Sequence, residues 1–493
     1  MTDFDLGDRH HRAVSGLGAH AEPKTVKIRA GLVDDDLPRQ HLLVCLVNLL
    51  VRLHGSVESV QLEVDGNIAV AMPHMAPPCD ALHAMDNLAT WANGGRIPVR
   101  VATGPADITI DIGSEPAADA DLYAFGAGWK AWVGRAPASL AQDDAAPGCL
   151  GPYFAASMVA AEVFKISRGL LKGRFATDDA YSLWDVCSGR WDELADGPPL
   201  RDLTLPSLYL IGAGAVGQGF IQVLGASQIP GGFLVTIDHD HHDAEGTNLN
   251  RCFLAGVEDV LHPKVDAVKR YRNLTALAGY EFPGSLTDYL MSEKVGLPND
   301  LVSSERQSAY DIVVSAVDIN SSRLDIQGVL PGLVIGGSTD GLRAQSALYG
   351  IVPGSECLGC WNAAEDEKLK AIAIEAELRE MTVDHQRERL TGIVDDVEAA
   401  LAYLATPKPR CGQLGESEVR AFATAVSPEF SVSFVSLAAA VMTAAKLFAV
   451  MNDREVIRSR PAKAIFVFRN LECVETTTAR RPTCPYCMPS LRP

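Results

Sequence analysis

The chain is short of basic residues: 43 lysines and arginines face 62 aspartates and glutamates over 493 residues, a net charge of -19. No long basic patch offsets that field, which repels nucleic acid and anionic membranes, so neither is an expected partner. A basic protein partner is tolerated. Residues 1–16 are polar and lack the apolar centre of a secretory signal. No apolar run is read as approaching the roughly 20 residues of a membrane span. The longest candidate, 41–53, is interrupted by Asn48 and Arg52 and reads as a buried helix. Aromatic residues are sparse at 6%, within an otherwise ordinary composition of 47% apolar and 21% charged residues. The expectation is a cytoplasmic globular protein of two or three domains. In that setting its 11 cysteines suggest thiolates in use rather than a disulfide framework.

What is present is concentrated in the second half. Asp196-Gly-Pro-Pro-Leu200 has linker chemistry and divides the chain near residue 190, into 1–190 and 191–493. Beyond it come apolar, branched segments at 207–211, 232–238, 311–316 and 333–337, with a helix after the first and a long apolar helix at 433–451. Short buried strands alternating with helices predict a doubly wound, Rossmann-like α/β fold. The first half reads as a faded copy. Strands are expected at 25–31, 57–64 and 106–113, and 151–165 echoes 433–446. It lacks the glycine-rich loop and most of the charged residues, although two alanine-rich buried helices would also look alike.

Gly212-Ala-Gly214-Ala-Val-Gly217 follows the first of these strands. Glycines there allow a tight turn and let backbone N–H groups at a helix N-terminus approach phosphates. Asp238, at the end of the next strand, suits the hydroxyls of a ribose. These features fit NAD, FAD or ATP. Asn248-Leu-Asn-Arg251, Lys264 and Asp318 narrow the choice. A dehydrogenase has no need of two cations and a further acid around its pyrophosphate, whereas an enzyme cutting ATP between the α- and β-phosphates does. Arg251 and Lys264 would neutralise the triphosphate, and Asp318 would hold Mg²⁺ and orient an attacking carboxylate. Surface ion pairs are the competing reading for each residue taken singly.

The ordered set of glycine loop, Asp238-x-Asp240, Asn-Leu-Asn-Arg, Lys264 and Asp318 to Arg323 resembles the ThiF/MoeB superfamily, which includes the ubiquitin-activating enzymes. The resemblance spans roughly residues 205–490. It implies a ThiF-type adenylation domain in which Gly212, Gly214, Gly217, Asp238 and Asp240 serve the nucleotide. By the same resemblance Asn248, Arg251 and Lys264 contact phosphates and Asp318 binds Mg²⁺. The segment from Asp238 to Asn248 is about two residues longer than is usual there. It carries His239, His241 and His242, read as a solvated turn.

Cys357-Leu-Gly-Cys360 and Cys484-Pro-Tyr-Cys487 are two Cys-x-x-Cys pairs able to form a closed Cys₄ zinc site, two unrelated thiol pairs being the alternative. The superfamily often carries the same paired knuckles. Cys411 lies in a proline–glycine loop beside Lys408 and Arg410, where cations lower a thiol pKa. In related activating enzymes the thioester cysteine occupies that place, within what is here a helical, charged insertion (361–415). Cys45 and Cys473 read as core, and Cys252 as a packed neighbour of Arg251. The faded first half resembles the inactive adenylation half of ubiquitin-activating enzymes, fused in one chain. The arginine lent between family subunits is matched only by Arg12.

The resemblance thus implies ATP-dependent adenylation of a ubiquitin-like protein with a C-terminal glycine. A thioester on Cys411 and transfer to a conjugating enzyme would follow, with bacterial antiviral defence as a setting by analogy. The chain would act as a pseudo-dimeric monomer or a homodimer. A sulfur-carrier adenylyltransferase, a nicotinamide dehydrogenase and a non-catalytic nucleotide-fold scaffold are the other readings.

Overall fold

The computed structural model describes residues 22–138, 140, 148–170, 175–244, 246–292, 312–350, 356–362, 376–391, 397–405, 432–452, 462–476, 480–482 and 484–486. Two eight-stranded sheets organise it. The first contains β1 (Lys24–Leu32), β2 (Val57–Asp65), β5 (Val99–Val101), β6 (Ile108–Asp111), β7 (Leu122–Ala127), β8 (Lys130–Gly134), β9 (Asp178–Ser182) and β10 (Cys187–Gly189). A small hairpin, β3 (Asn67–Ile68) and β4 (Cys79–Asp80), stands apart from it. The second contains β11 (Leu208–Ile211), β12 (Leu234–Ile237), β13 (Gly279–Phe282), β14 (Ile312–Ser315), β15 (Leu333–Asp340), β16 (Arg343–Tyr349), β17 (Lys463–Val467) and β18 (Glu472–Thr476).

The two sheets share one connectivity. Their spatial orders are β5-β2-β1-β6-β7-β8-β9-β10 and β13-β12-β11-β14-β15-β16-β17-β18, the same permutation of chain order. In each, the first five strands run parallel and the last three turn back antiparallel. Helices recur in step: α1 (Leu37–Leu50) and α2 (Ala81–Asn93) cross over in the first sheet, α4 (Ala215–Ser227) and α5 (Lys264–Arg272) in the second. A long helix precedes the seventh strand of each, α3 (Leu150–Arg168) in the first and α11 (Ser433–Asn452) in the second. One difference matters for chemistry. The second sheet inserts α7 (Asn320–Gly328) between β14 and β15, whereas only loop joins β6 to β7.

Strands β11, β12 and β14 of the second sheet are buried on both faces. Leu208 and Leu210 join the larger core, and Tyr209 and Ile211 a second cluster on the opposite side. That two-residue alternation, with helices over both faces, is why β11, β12 and β14 read as continuous apolar runs. The larger core is common to both sheets: α3 packs on α1 and α11, and α11 on α4. Phe164 meets Phe434 at 5.5 Å and Phe154 meets Phe466 at 4.9 Å between ring centres. Lys165 donates to the Phe468 carbonyl at 3.1 Å and pairs with buried Glu162.

This packing corrects one reading of the sequence. Helix α11 is 20 residues long with mean hydropathy 1.9, long and apolar enough by itself to cross a membrane, but 94% of that stretch is buried in the protein. Residues 363–429 form a separate compact unit. Its described part contains the helices Val383–Leu390 and Val397–Ala405 around Leu378, Leu390, Leu401 and Leu404.

Candidate functional site

The order of the second sheet reverses between β11 and β14, and at such a switch point the strand ends diverge to leave a crevice. The glycine turn leaves β11 here. Gly212 has φ +99°, and a Cβ on it would lie 2.6 Å from the Ala316 carbonyl; one on Gly217 would lie 2.0 Å from that of Gly212. Only glycine lets α4 begin this close to β14. Gly214, the residue before α4, faces open space.

A cleft of about 310 Å³ lies above this turn. Gly212, Gly214, Asp238, Asp240, Arg251, Lys264 and Asp318 all line it, so one site collects residues spread over more than a hundred positions. Asp238 accepts from the backbone N–H of Ala213 and, at 2.7 Å, of Asp240. Burial raises its pKa, opposed by those bonds and by Lys264. Lys264 opens α5 and donates 2.7 Å to Asp240. Burial is the largest influence on each and would discharge both, but their mutual bond together with the surrounding charges outweighs it: Asp240 is held below its usual range and Lys264 above. Asp318 is exposed at the cleft edge, on the turn into α7.

Arg251 follows a 3₁₀ turn, Thr247–Asn250, and its Nη2 donates to Asn248 Oδ1 at 3.3 Å. Its buried Nε has no partner among the described residues. Asn248 lies behind the wall: its amide donates 2.6 Å to Asp243, which also accepts from Thr247. Gly217 is likewise behind the wall. The three-histidine turn departs from the sequence reading. His239 and His241 are exposed, but His242 is buried, its Nε2 is 3.5 Å from Gln218, and burial lowers its pKa to about 4. Asp238, His239 and Asp240 bring ligand atoms within 4.8 Å of one another.

Other lining residues carried no sequence signal of their own. Ser338 and Thr339 extend β15 beyond Gly336-Gly337, and Ser436 comes from α11. The polar end of an otherwise apolar strand was the one hint of the first two. Gln218 bridges the two loops, donating to the Ala213 carbonyl and accepting from Leu254 N–H.

A second cluster unites Cys357, Cys360 and Cys484, whose sulfurs lie within 4.8 Å of one another. Cys357 Sγ is 3.9 Å from that of Cys360 and 3.6 Å from that of Cys484. A disulfide requires about 2.05 Å, whereas ligands of about 2.3 Å around a tetrahedral ion stand about 3.8 Å apart. The donor set therefore fits a thiolate-bound divalent metal. Cys487, Cys411 and Arg12 lie outside the described residues. Cys45 and Cys252 are fully buried and burial raises both thiols, while Cys473 is only partly buried, on β18.

Among solved structures, E. coli MccB with ATP is 18% identical, covers 58% of this chain and 69% of its own, and has a TM-score of 0.37. E. coli MccB with AMPCPP and selenomethionine MccA is 18% identical over 59% of this chain and 68% of its own, at 0.36. No curated protein matches the sequence. Residues 26–183 match the BilD N-terminal domain. Residues 197–486, well over half the chain and the whole of the second sheet, match the ThiF family, so the chain belongs to the ThiF family of adenylating enzymes.

Proposed function

We propose that this ATP-dependent adenylating enzyme activates the C-terminal carboxylate of a ubiquitin-like protein and forwards the acyl group as a thioester to a conjugating enzyme. The observation that carries the reading is the single switch-point cleft in which two cations, Arg251 and Lys264, face the acids Asp238 and Asp318 over a glycine turn. A site for a dinucleotide alone has no use for that charge set. A triphosphate whose α-phosphorus is attacked needs it.

In this reading Asp238 accepts the ribose hydroxyls and the turn N–H groups of α4 meet a phosphate. Asp318 would hold Mg²⁺, which supplies charge neutralisation to the phosphates when bound. A carboxylate oxygen of the partner's terminal glycine attacks the α-phosphorus. The new bond is C–O–P, the α–β phosphoanhydride breaks, and pyrophosphate leaves. Arg251 and Lys264 stabilise the charge gathering on the leaving oxygens. A thiolate, assigned from sequence to Cys411, then attacks the acyl carbon and AMP leaves. Arg12 remains the sequence's candidate for a second cation.

The repeated strand order, with the BilD-type match over the first copy, supports a fused pair of adenylation folds of which only the second keeps the glycine turn and the α7 insertion. Thiolate spacing supports zinc at Cys357, Cys360 and Cys484, and the second Cys-x-x-Cys pair of the sequence offers Cys487 as fourth ligand.

The test combines protein, Mg-ATP and a panel of ubiquitin-like proteins, read by intact mass with and without thiol. A thiol-sensitive adduct lost in Cys411→Ala is expected. AMP and pyrophosphate without any adduct would favour a sulfur-carrier adenylyltransferase, and NADH binding without ATP use would overturn the proposal.

A further inference from the structure

The loop that carries Asn248 and Arg251 is held from the other half of the molecule. Arg52 lies two residues beyond α1 in the first half, and its side chain is fully buried. Its Nη1 donates to the Leu249 carbonyl at 2.6 Å, and its Nη2 to those of Ala255 at 2.9 Å and Phe253 at 3.4 Å. Its Nε donates 2.8 Å to Asn48 Oδ1, and Asn48 Nδ2 donates in turn to the Phe253 carbonyl at 3.3 Å. The guanidinium is sandwiched 5.6 Å from the Trp91 ring and 5.9 Å from that of Phe253.

An arginine costs much to bury, and burial lowers even this guanidinium's pKa to about 10. The fork is what the position uses. Three carbonyls spread over residues 249–255 are gathered by one planar donor, which a point-charge ammonium cannot reproduce. Those carbonyls flank Arg251. From the second half, Gln218 holds the intervening Leu254 N–H at 3.1 Å. The backbone on either side of Arg251 is thus pinned, while Arg251 Nε itself has no partner among the described residues.

We propose that Arg52, with Asn48, is a positioning residue for nucleotide phosphate: the first half sets the loop from which Arg251 meets the triphosphate. This rests on the reading of the cleft as an ATP site. It gives the first half an indirect part in nucleotide binding, exerted through the loop and without any contact to the nucleotide. The ribose and the α-phosphate, which AMP shares with ATP, are met by Asp238 and the glycine turn, which Arg52 does not touch, so its loss acts on the β- and γ-phosphates.

The experiment measures ATP and AMP affinity by titration calorimetry in Mg²⁺ for the full chain, Arg251→Ala, Arg52→Lys and Asn48→Ala. Wild type is expected to prefer ATP, and Arg251→Ala to lose that preference. If wild type binds neither nucleotide, or Arg251→Ala keeps the preference, the reading of the cleft fails and this proposal with it. With that reading intact, Arg52→Lys is expected to weaken ATP by roughly tenfold while AMP binding stays at the wild-type level. Equal losses for ATP and AMP, or none, overturn the positioning role. Should Arg52→Lys fail to fold, Asn48→Ala decides by the same comparison, with a smaller selective loss expected.

Discussion

At the scale of single residues, the cleft works by keeping charge where burial would remove it. Lys264 is 9% exposed, and its ammonium survives because Asp240 accepts from it. On the proposed reading Lys264→Ala removes a phosphate partner and also leaves Asp240 without its lysine, facing the ligand. ATP affinity is expected to fall by about 10- to 100-fold in titration calorimetry, and Lys264→Ala/Asp240→Ala to recover part of it; no recovery would mean that Asp240 repels nothing. Three histidines set an acid limit. Burial lowers His41, His74 and His242 from 6.5 to about 4. The unfolded chain therefore binds their protons first, and stability present in full above pH 6.5 is lost as pH falls toward 4. Melting temperature should drop across that window, and less steeply in His41→Leu; parallel curves would exclude His41 as a contributor. The sequence places His242 in a run of polar residues that reads as a solvated turn. Its burial depends on Gln218 and on the chain returning at His262, whose carbonyl accepts from its N–H at 2.9 Å.

At the scale of elements, α4 and α11 meet through small residues. A Cβ on Gly219 would lie 2.8 Å from that of Ala440, so the helices touch almost backbone to backbone. Gly219→Leu is expected to overpack this contact and cost about 1–3 kcal/mol, read as a lower denaturant midpoint; an unchanged midpoint would show that α11 yields freely. The knuckle beside α8 (Leu358–Trp361) makes a second element-scale case. Cys484 joins Cys357 and Cys360 from 127 and 124 positions away, and Arg481 donates to the Gly359 carbonyl. One zinc per chain is expected from elemental analysis, and Cys357→Ser should lose it and lower the melting temperature. Metal-free protein of unchanged stability would reduce the cluster to buried thiols.

At the scale of the whole molecule, one core serves two sheets. Helices α3 and α11 belong to different repeats yet bury residues in the same core, where Phe164 of α3 meets Phe434 of α11. Arg52, Asn48 and Lys165 add buried polar contacts between the repeats. Residues 1–195 and 196–493 produced as two chains should therefore copurify in equal amounts. A soluble second half that stands alone would mean that the shared core is dispensable. Much of this arrangement was legible in the sequence. Strands β11, β12 and β14, helix α11 and the glycine turn announce themselves by local periodicity and composition, as does the echo between 151–165 and 433–446. The identity of the strand orders was not legible, because strand pairing is non-local and the first repeat lacks the glycine-rich loop and most of the charged residues.

The sequence by itself determined the elements, the nucleotide motif and the set of charges. Each of these is written in neighbouring residues, or in a motif order that survives without coordinates. Tertiary structure alone decided which residues act together. In sequence Arg52 is an interruption in an apolar run; in space it binds a loop 197 positions away. Likewise Ser338, Thr339 and Ser436 became cleft residues only when β15 and α11 met at the switch point. The physical reason is the same in each case. A hydrogen bond or a cleft wall depends on distance through space, and chain order constrains that distance only within a few residues.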